Sequence, residues 1–385
     1  MRPIRELVDI RPVVERAILV GTARRGHNGA HDMGEHLDEL ARLADTAGAQ
    51  VVGRLTQRLD APTPNYYIGQ GKVGELGDEA GAAGATLVVF DDELSPAQGK
   101  NLEAALKLRV MDRAELILDI FARRAKSKEA KMQVELAQLE YLLPRLARMW
   151  VHLSRIRGGI GLRGPGETQL ETDRRMIRRK ISRLRRELER VSRHRHVLRQ
   201  GRRPVPTVAL VGYTNAGKSS LLKALTRADT LVDDRLFATL DTMTREVTLT
   251  PGLSPGSDGR DGRSTRVRLV DTVGFIRKLP HHLVASFGAT LEEARGGDML
   301  AHVIDASHPD WEEQVEVVDG VLAELNETPR PVVHVFNKMD LVAGPDLFRR
   351  RVTAGFEPAA FVSAVRGEVG DLTRLLVRLA AAPAA

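Results

Sequence analysis

The sequence predicts an α/β protein in three parts: an N-terminal parallel βα domain, an antiparallel helical hairpin with a glycine-rich tip, and a C-terminal domain with a phosphate-binding loop (P-loop). Three observations support this prediction. Residues 16–112 alternate short apolar strands with helical patterns, which is typical of a parallel sheet with crossover helices. Heptad spacing of apolar residues begins near residue 129, and a glycine-bounded loop follows an apolar strand near residue 212. We place the domains at 1–120, 121–204 and 205–385.

The composition fits a protein without a disulfide framework or a membrane span. The 385 residues include no cysteine, which excludes disulfide bonds and thiolate metal sites. The N-terminus lacks the apolar core of a signal peptide, and no apolar run approaches the length that crosses a membrane. The net charge of +7 favours an acidic partner. We therefore expect a cytoplasmic monomer.

The N-terminal domain alternates predicted strands and predicted helices. The strands lie at 17–20, 50–55, 86–90 and 109–111, and the helices lie at 33–47, after Gly71, and at 96–106. Two loops that contain glycine and proline, 21–32 and 60–72, have two interpretations, as a ligand crevice or as plain connections. Connecting segments ordinarily run over the protein surface between such elements, so plain connections are the simpler interpretation.

The middle domain carries two apolar seams at heptad spacing. The first comprises Met132, Leu136, Leu139, Leu143, Leu146, Trp150 and Leu153, and the second comprises Ile177, Ile181, Leu184, Leu188, Val191 and Leu198. Such spacing is typical of helices that pack along one side. We expect Pro144 to kink the first helix or to loosen one of its turns. The glycine-rich segment 157–166 is too flexible to continue a helix, so it predicts the tip of a hairpin.

Positive charge is concentrated on the second helix of this hairpin. Residues 167–203 contain 14 Lys and Arg against 5 Asp and Glu, a larger excess than that of the whole chain. The stretch contains no aromatic residue, which argues against stacking on single-stranded bases. A solvated arm is the alternative, but we interpret the basic face as a contact for the phosphate backbone of structured RNA.

The P-loop follows the apolar strand 208–211 and precedes a helical run. Gly212 and Gly217 bracket Tyr213, Thr214, Asn215 and Ala216, and Lys218 and Ser219 come next, which gives the spacing G-x-x-x-x-G-K-S. The two glycines allow the backbone amides to wrap around phosphate groups, and the helix N-terminus adds partial positive charge. We expect Lys218 to reach the β- and γ-phosphates of a nucleotide and Ser219 to bind Mg²⁺.

A second motif predicts which base the nucleotide carries. Asn337, Lys338, Met339 and Asp340 follow the apolar strand 332–336, at the strand end where ligands of open α/β sheets bind. The Asp340 carboxylate matches the ring N–H and exocyclic amine of guanine, which adenine does not offer. We expect Asn337 to support the loop, the Lys338 stem to cover the ring, and Ser363 and Ala364 to meet the guanine carbonyl.

Two further segments have the pattern of nucleotide-dependent switches. Asp271, Thr272, Val273 and Gly274 end the strand 267–270, with Asp271 expected to hold Mg²⁺ through water and the Gly274 amide to sense the γ-phosphate. Phe237, Ala238, Thr239, Leu240 and Asp241 form the other segment. We expect Thr239 to close over Mg²⁺, although Thr242 and Thr244 are rival candidates on sequence alone.

These segments together resemble the five motifs of translation-factor-class GTPases, so 205–385 resembles a P-loop GTPase domain. The motifs resemble those of the HflX family: GYTNAGKS at 212–219, FATLD at 237–241 and DTVGF at 271–275. The resemblance extends upstream to YIGQGK at 67–72 and GPGETQLE at 164–171, so it covers nearly the whole chain.

The resemblance to HflX implies a function. Such a protein hydrolyses GTP to GDP and phosphate with Mg²⁺, and it binds the large ribosomal subunit and its RNA, not DNA. The role implied is in ribosome splitting, rescue or biogenesis, with the glycine-rich tip reaching toward the peptidyl-transferase region.

The catalytic step has fewer candidates than nucleotide binding. Lys218 and Gly274 are the catalytic candidates, but Phe275 occupies the place where many GTPases carry a glutamine that orients water. A phenyl ring cannot polarise water, so we expect a slow intrinsic rate that a partner such as the ribosome increases. Asn215 is a candidate ligand for K⁺, which would supply part of the missing charge.

Two alternatives to a ribosome-linked switch remain. One is a GTPase of tRNA modification or RNA maturation, and the other is an RNA-binding scaffold with a structural nucleotide. The heptad hairpin favours the ribosome-linked switch over the first. Replacing Lys218 separates the switch from a scaffold, because a scaffold would keep its function without phosphate binding.

Overall fold

The computed structural model describes residues 14–24, 30–149, 165–200, 205–226, 236–237, 242–250, 264–279, 297–325 and 330–381. These form two compact units, Met1–Ile120 and Phe121–Ala385, and each is described by itself. Within the described residues, no helix is long and apolar enough to cross a membrane.

The first unit contains a parallel sheet with crossover helices. Its elements are β1 (Arg16–Arg24), α1 (Ala30–Thr46), β2 (Gln50–Leu59), α2 (Gln70–Ala83), β3 (Leu87–Phe90), α3 (Pro96–Leu106) and β4 (Arg109–Asp112). The strands pair in the order β2-β1-β3-β4, and each pair is parallel. The prediction of a parallel βα domain is confirmed.

Local sequence explains where the elements of this unit begin. Helix α3 starts after Ser95, whose hydroxyl accepts from the Gln98 amide while the Gln98 side chain accepts from the Ser95 amide. Pro96 occupies the first helical turn, where its missing N–H costs nothing. Strand β3 is buried along its whole length, as expected for an inner strand of a parallel sheet.

The second unit begins within helix α4 (Arg113–Arg124) and continues with α5 (Lys128–Met149) and α6 (Pro165–Gln200). Helices α5 and α6 pack along the predicted seams, where Met132, Leu136, Ile181, Leu184 and Leu188 form one buried cluster. Helix α5 continues through Pro144 as one element. Helix α6 begins at Pro165, so the end of the predicted loop 157–166 was wrong, because proline fits a first helical position. The predicted tip residues 157–164 lie outside the described residues.

The C-terminal part of this unit is a six-stranded sheet with helices. Its elements are β5 (Thr207–Gly212), α7 (Lys218–Thr226), β6 (Met243–Leu249), β7 (Thr265–Asp271), β8 (Met299–Asp305), α8 (Trp311–Leu325), β9 (Val332–Asn337), a 3-10 turn (Met339–Leu341), α9 (Pro345–Thr353), β10 (Ala359–Phe361) and α10 (Gly370–Ala381). The strand order is β10-β9-β8-β5-β7-β6, and only the β6–β7 pair is antiparallel among these described strands.

This topology positions the predicted site. Strands β5, β7 and β9 are parallel members of one sheet, so their carboxyl ends lie at the same edge. The P-loop follows β5, Asp271 ends β7, and Asn337 ends β9. A core of residues such as Val208, Leu269 and Val335 holds the strands in place. The overall α/β fold, with a helical region and a P-loop domain, is confirmed.

Candidate nucleotide-binding site

The P-loop backbone packs so closely against its neighbours that both bracketing positions require glycine. Gly212 has φ +150°, and a Cβ there would lie 2.2 Å from the Val303 carbonyl oxygen. Gly217 has φ +92°, and a Cβ there would lie 2.2 Å from Asn337 Nδ2. The loop is therefore fitted against the ends of β8 and β9, and a side chain at either glycine would displace it.

Lys218 is buried inside this loop. Its Nζ donates to the Gly212 carbonyl at 3.1 Å and to the Tyr213 carbonyl at 2.8 Å. Burial lowers the pKa of the Lys218 amine from 10.5 to about 8, and the charge of Asp271 offsets part of this shift. An anion beside Nζ would stabilise the ammonium form. The arrangement therefore fits a phosphate group.

Two oxygen groups meet beside the helix N-terminus. The Ser219 hydroxyl donates to Asp271 Oδ2 at 2.6 Å, and Asp271 is fully buried. A hydroxyl and a carboxylate are ligands of the kind that Mg²⁺ takes, so these residues fit this ion. The third predicted ligand, Thr239, lies outside the described residues, as do Ala238, Leu240 and Asp241.

The segment after β7 is hydrogen-bonded to the P-loop. The Thr214 amide donates to the Phe275 carbonyl at 2.7 Å, and the Phe275 amide donates to the Gly212 carbonyl at 3.1 Å. The Arg277 amide donates to the Tyr213 hydroxyl at 2.9 Å. These three hydrogen bonds join the P-loop to residues 275–277.

Gly274 and Thr272 are constrained by the same contacts. A Cβ at Gly274 would lie 2.7 Å from Thr214 Cα and 3.0 Å from Lys218 Nζ, so no side chain fits there. The Thr272 hydroxyl is buried and donates to the Leu210 carbonyl at 2.7 Å, and Val273 is buried beside it. Gly274 thus lies against the P-loop and beside Lys218 Nζ, and its role as a γ-phosphate sensor stays a prediction.

The residues predicted to recognise the base form one connected cluster. Asn337 Nδ2 donates to the Ala216 carbonyl at 2.9 Å, while Asn337 Oδ1 accepts from the Ala364 amide at 3.0 Å. Asn337 therefore ties the P-loop to the 363–364 loop. The Ser363 hydroxyl donates to Asp340 Oδ1 at 2.6 Å, which orients this carboxylate.

Lys338 and Met339 occupy different environments. Lys338 has φ +63°, and its Nζ contacts Asp305 Oδ2 at 2.6 Å, so its stem is held across the site. Met339 is buried, and its amide donates to the Val362 carbonyl at 3.2 Å. The Ala364 amide donates to Asn337 in this structure, so its expected role toward the guanine carbonyl remains a prediction.

Asn215 and Phe237 both have left-handed backbone conformations. Asn215 is exposed at φ +61°, a conformation that asparagine tolerates. Phe237 is buried at φ +56°, and its amide donates to the Thr214 hydroxyl at 3.3 Å. Binding of K⁺ by Asn215 stays a prediction.

Sequence reasoning missed Asp305, Arg277 and Phe121, each of which contacts a predicted site residue. Asp305 orients Lys338, the Tyr213 hydroxyl holds the Arg277 amide, and the Phe121 ring lies against Phe237. Asp305 ends a buried strand on the same sheet edge as Asn337, and that signal could have identified it. The other two contacts join residues far apart in the chain and have no local signal.

Three known families of GTP-binding proteins match successive parts of the chain. Residues 34–122 match the family described as GTP-binding GTPase N-terminal, and residues 124–202 match the GTP-binding GTPase Middle Region. Residues 207–338 match the family described as 50S ribosome-binding GTPase. The chain is 50% identical over 330 residues to the GTPase HflX of Caldanaerobacter subterraneus, covering 85% of this chain and 73% of that protein. The chain belongs to the HflX family.

Two further HflX proteins match most of the chain, and a solved structure is similar over most of its length. The chain is 46% identical over 374 residues to that of Lacrimispora saccharolytica, covering 96% of this chain and 84% of that protein. It is 49% identical over 310 residues to the GTPase HflX of Escherichia coli, covering 80% of this chain and 70% of that protein. A crystal structure of SsGBP with GDP covers 95% of this chain and 98% of that chain, at 25% identity and a TM-score of 0.49. As an HflX protein, this chain is a GTP-binding GTPase with GTP as substrate.

Proposed function

We propose that this GTPase requires Mg²⁺, binds RNA of the large ribosomal subunit through the basic face of α6, and acts in ribosome splitting, rescue or biogenesis. GTP sets the geometry of the two switch segments, and the ribosome increases a slow intrinsic turnover. The observation that carries the proposal is the distribution of arginines on α6.

In the proposed reaction, the chain holds the phosphates and their charge. The P-loop amides and Lys218 bind the β- and γ-phosphates. Ser219, Thr239 and a water held by Asp271 would hold Mg²⁺, which would supply positive charge beside the transferred phosphoryl group. The Gly274 amide contacts the γ-phosphate and moves when it leaves. Phe275 cannot orient water, so partner binding or K⁺ at Asn215 supplies the missing stabilisation.

Some basic residues of α6 already have acidic partners. Lys180 pairs with Glu135 and Arg185 with Glu140, both on α5. Arg183 pairs with Glu187 and Arg193 with Glu189 along α6 itself. Such pairs neutralise charge, so these four residues contribute less to an RNA contact than their number implies.

Other arginines of α6 line a groove. A surface cavity of about 630 Å³ is lined by Glu171, Arg174, Arg175, Arg178, Arg179, Ser182 and Arg186. Arg174 Nε is buried and has no hydrogen-bond partner among the described residues. The Arg186 side chain is held by the Ser182 carbonyl at 3.2 Å. This groove, called here the arginine groove, combines excess positive charge with donors that suit phosphate oxygens.

Two matched double variants test the RNA contact. Arg174→Gln with Arg178→Gln removes two groove charges, and Arg183→Gln with Arg193→Gln removes two paired charges from the same helix. We expect the groove variant to bind purified large subunits with an affinity at least about tenfold lower than wild type. The slope of log affinity against log salt concentration should fall by an amount equal to the loss of about two phosphate contacts. The control should stay within about twofold of wild type. Equal losses in both variants would contradict a localised phosphate contact.

GTP turnover tests the link between ribosome and hydrolysis. Turnover is measured with and without large subunits, in potassium and sodium buffers, with Lys218→Ala as the inactive control. Stimulation that fades as salt rises is expected from an electrostatic contact. Tight GTP binding without stimulation would instead favour a GTPase that acts on another RNA.

A further inference from the structure

Phe237, the first residue of the 237–241 switch motif, is held from two sides. Its amide donates to the Thr214 hydroxyl of the P-loop at 3.3 Å. Its ring lies edge to face against the Phe121 ring, with centroids 4.7 Å apart and planes at 82°. Both rings are buried, at 2% and 1% exposure. One residue thus joins the P-loop to the last turn of α4.

Phe121 is coupled in turn to the root of the hairpin. The Ala125 amide donates to the Phe121 carbonyl at 2.9 Å, and Ala125 is buried. The Ser127 hydroxyl accepts from the Ala130 amide at 3.0 Å, which caps the start of α5. Only a short, hydrogen-bonded connection separates α4 from α5, so a displacement of Phe121 is passed to α5 instead of being absorbed.

The backbone of Phe237 shows that its position depends on these contacts. A φ of +56° is unfavourable for a bulky side chain, and such a conformation persists only where surrounding contacts hold it. The holding contacts here are the Thr214 hydroxyl and the Phe121 ring. Losing either one would favour relaxation of Phe237 to a less strained backbone conformation.

Thr214 is placed to respond to phosphate. Its amide is bonded to the Phe275 carbonyl, and its Cα lies against Gly274, the expected γ-phosphate sensor. A γ-phosphate that binds the Gly274 amide and displaces it would therefore shift the groups around Thr214. That shift changes the acceptor to which Phe237 is bonded.

We propose that Phe121 and Phe237 are positioning residues that couple the P-loop to the root of the hairpin. The nucleotide state changes the packing of the two rings, and the ring packing changes the start of α5. The coupling is reciprocal, so a partner bound to the hairpin changes nucleotide affinity by the same factor. The effect on subunit binding rests on the proposed function, whereas the coupling within the chain does not.

Hydrogen exchange of residues 121–135 tests the coupling directly. Wild type is compared with GDP and with a non-hydrolysable GTP analogue, and we expect exchange rates there to differ about fivefold or more. Phe121→Leu and Phe237→Leu each retain an apolar side chain but remove the ring pair. Each should lose the nucleotide-dependent difference, and the double variant should match either single variant. Using both variants keeps the test valid where one of them folds poorly.

Phe348→Leu is the matched control. Phe348 also makes an edge-to-face pair, with Trp311 at 5.7 Å, but it lies in the core around α8 and α9. This variant should keep the nucleotide-dependent exchange of residues 121–135. A purely structural role for Phe121 would lower stability without removing the difference between nucleotides.

The inference would be overturned by equal exchange in wild type with the two nucleotides, or by a difference that survives in both Phe→Leu variants. A second experiment measures how tightly the protein binds large ribosomal subunits with GDP and with the non-hydrolysable GTP analogue. Wild-type protein that shows the exchange difference but does not bind subunits would contradict the proposed function and leave the coupling intact. Subunit binding whose nucleotide preference disappears in Phe121→Leu would support both.

Discussion

The carboxyl ends of the parallel strands differ in chemistry between the two described sheets of this chain. In the C-terminal sheet, β5 ends in a glycine-bounded loop around the buried Lys218. In the N-terminal sheet, the carboxylates at the ends of β3 and β4 bind internal partners. Asp91 pairs with Arg113 at 2.7 Å, Asp92 accepts from the Thr22 hydroxyl at 2.8 Å, and Asp112 accepts from the Leu94 amide at 3.1 Å.

The comparison separates what topology provides from what residues provide. A parallel sheet offers a crevice at the carboxyl ends of its strands in both cases. Backbone amides and a buried ammonium make the C-terminal edge suitable for phosphate. The N-terminal carboxylates are engaged with internal partners, and Arg113 also pairs with Glu39 of α1. The same edge therefore supports ligand binding in one sheet and internal cohesion in the other.

Removing the buried ammonium should have the largest effect. We expect Lys218→Ala to lower GTP turnover by on the order of 10²- to 10³-fold, because the phosphates lose their charge partner in a buried site. Steady-state turnover and GDP titration measure this. Lys223→Ala removes an exposed lysine of the same helix and should leave both unchanged. Similar losses in the two variants would show that net charge alone matters.

Breaking the N-terminal ion cluster should lower stability instead of nucleotide affinity. Arg113→Met leaves Asp91 and Glu39 without their buried cation, which costs about 3–5 kcal/mol in free energy of unfolding. Hydrogen exchange of β1 and β3 measures the loss. Arg109→Met is the control, because Arg109 is 50% exposed and its surface pairs contribute about 0–1 kcal/mol. Weakened GDP binding by folded Arg113→Met would contradict the division between the sheets.

Two glycine variants test how closely the P-loop backbone packs against Asn337. Gly217→Ala places a methyl group 2.2 Å from Asn337 Nδ2, so GTP turnover should fall by on the order of 10²-fold. Gly320→Ala adds a methyl group to helix α8 with no atom within 4 Å. It should raise stability by about 0.5–1 kcal/mol and leave turnover unchanged. Normal turnover in Gly217→Ala would mean that the loop relaxes easily.

The pKa of Lys218 predicts a smaller, pH-dependent effect. In the nucleotide-free protein this pKa is about 8, below its ordinary 10.5, and bound phosphate raises it again. GDP affinity should therefore fall about five- to tenfold between about pH 7.5 and 9. Between about pH 8 and pH 10.5, the Lys218 amine binds more protons in the unfolded chain than in the folded protein. The free energy of unfolding of the nucleotide-free protein therefore rises with pH over this interval. GDP affinity that is constant over this interval would argue against a buried, titrating Lys218.

Much of the fold could be predicted, and the exceptions have physical causes. The strands of the N-terminal sheet and the heptad seams follow from apolar periodicity, which neighbouring residues specify. Strand β8 was not predicted, although all but its last residue are buried. A short, continuously apolar run does not distinguish a buried strand from a helix segment, since both lack an exposed face.

The sequence by itself determined the nucleotide chemistry of this protein. The P-loop, the Asn337–Asp340 motif and the Asp271–Gly274 segment are local patterns in which spacing sets backbone geometry and residue type sets the chemistry. Only the tertiary structure decided which basic residues of α6 pair with acidic residues of α5, that Asp305 orients Lys338, and that Phe121 contacts Phe237. These contacts join residues distant in the chain, and their energies depend on burial and distance, which sequence spacing does not contain.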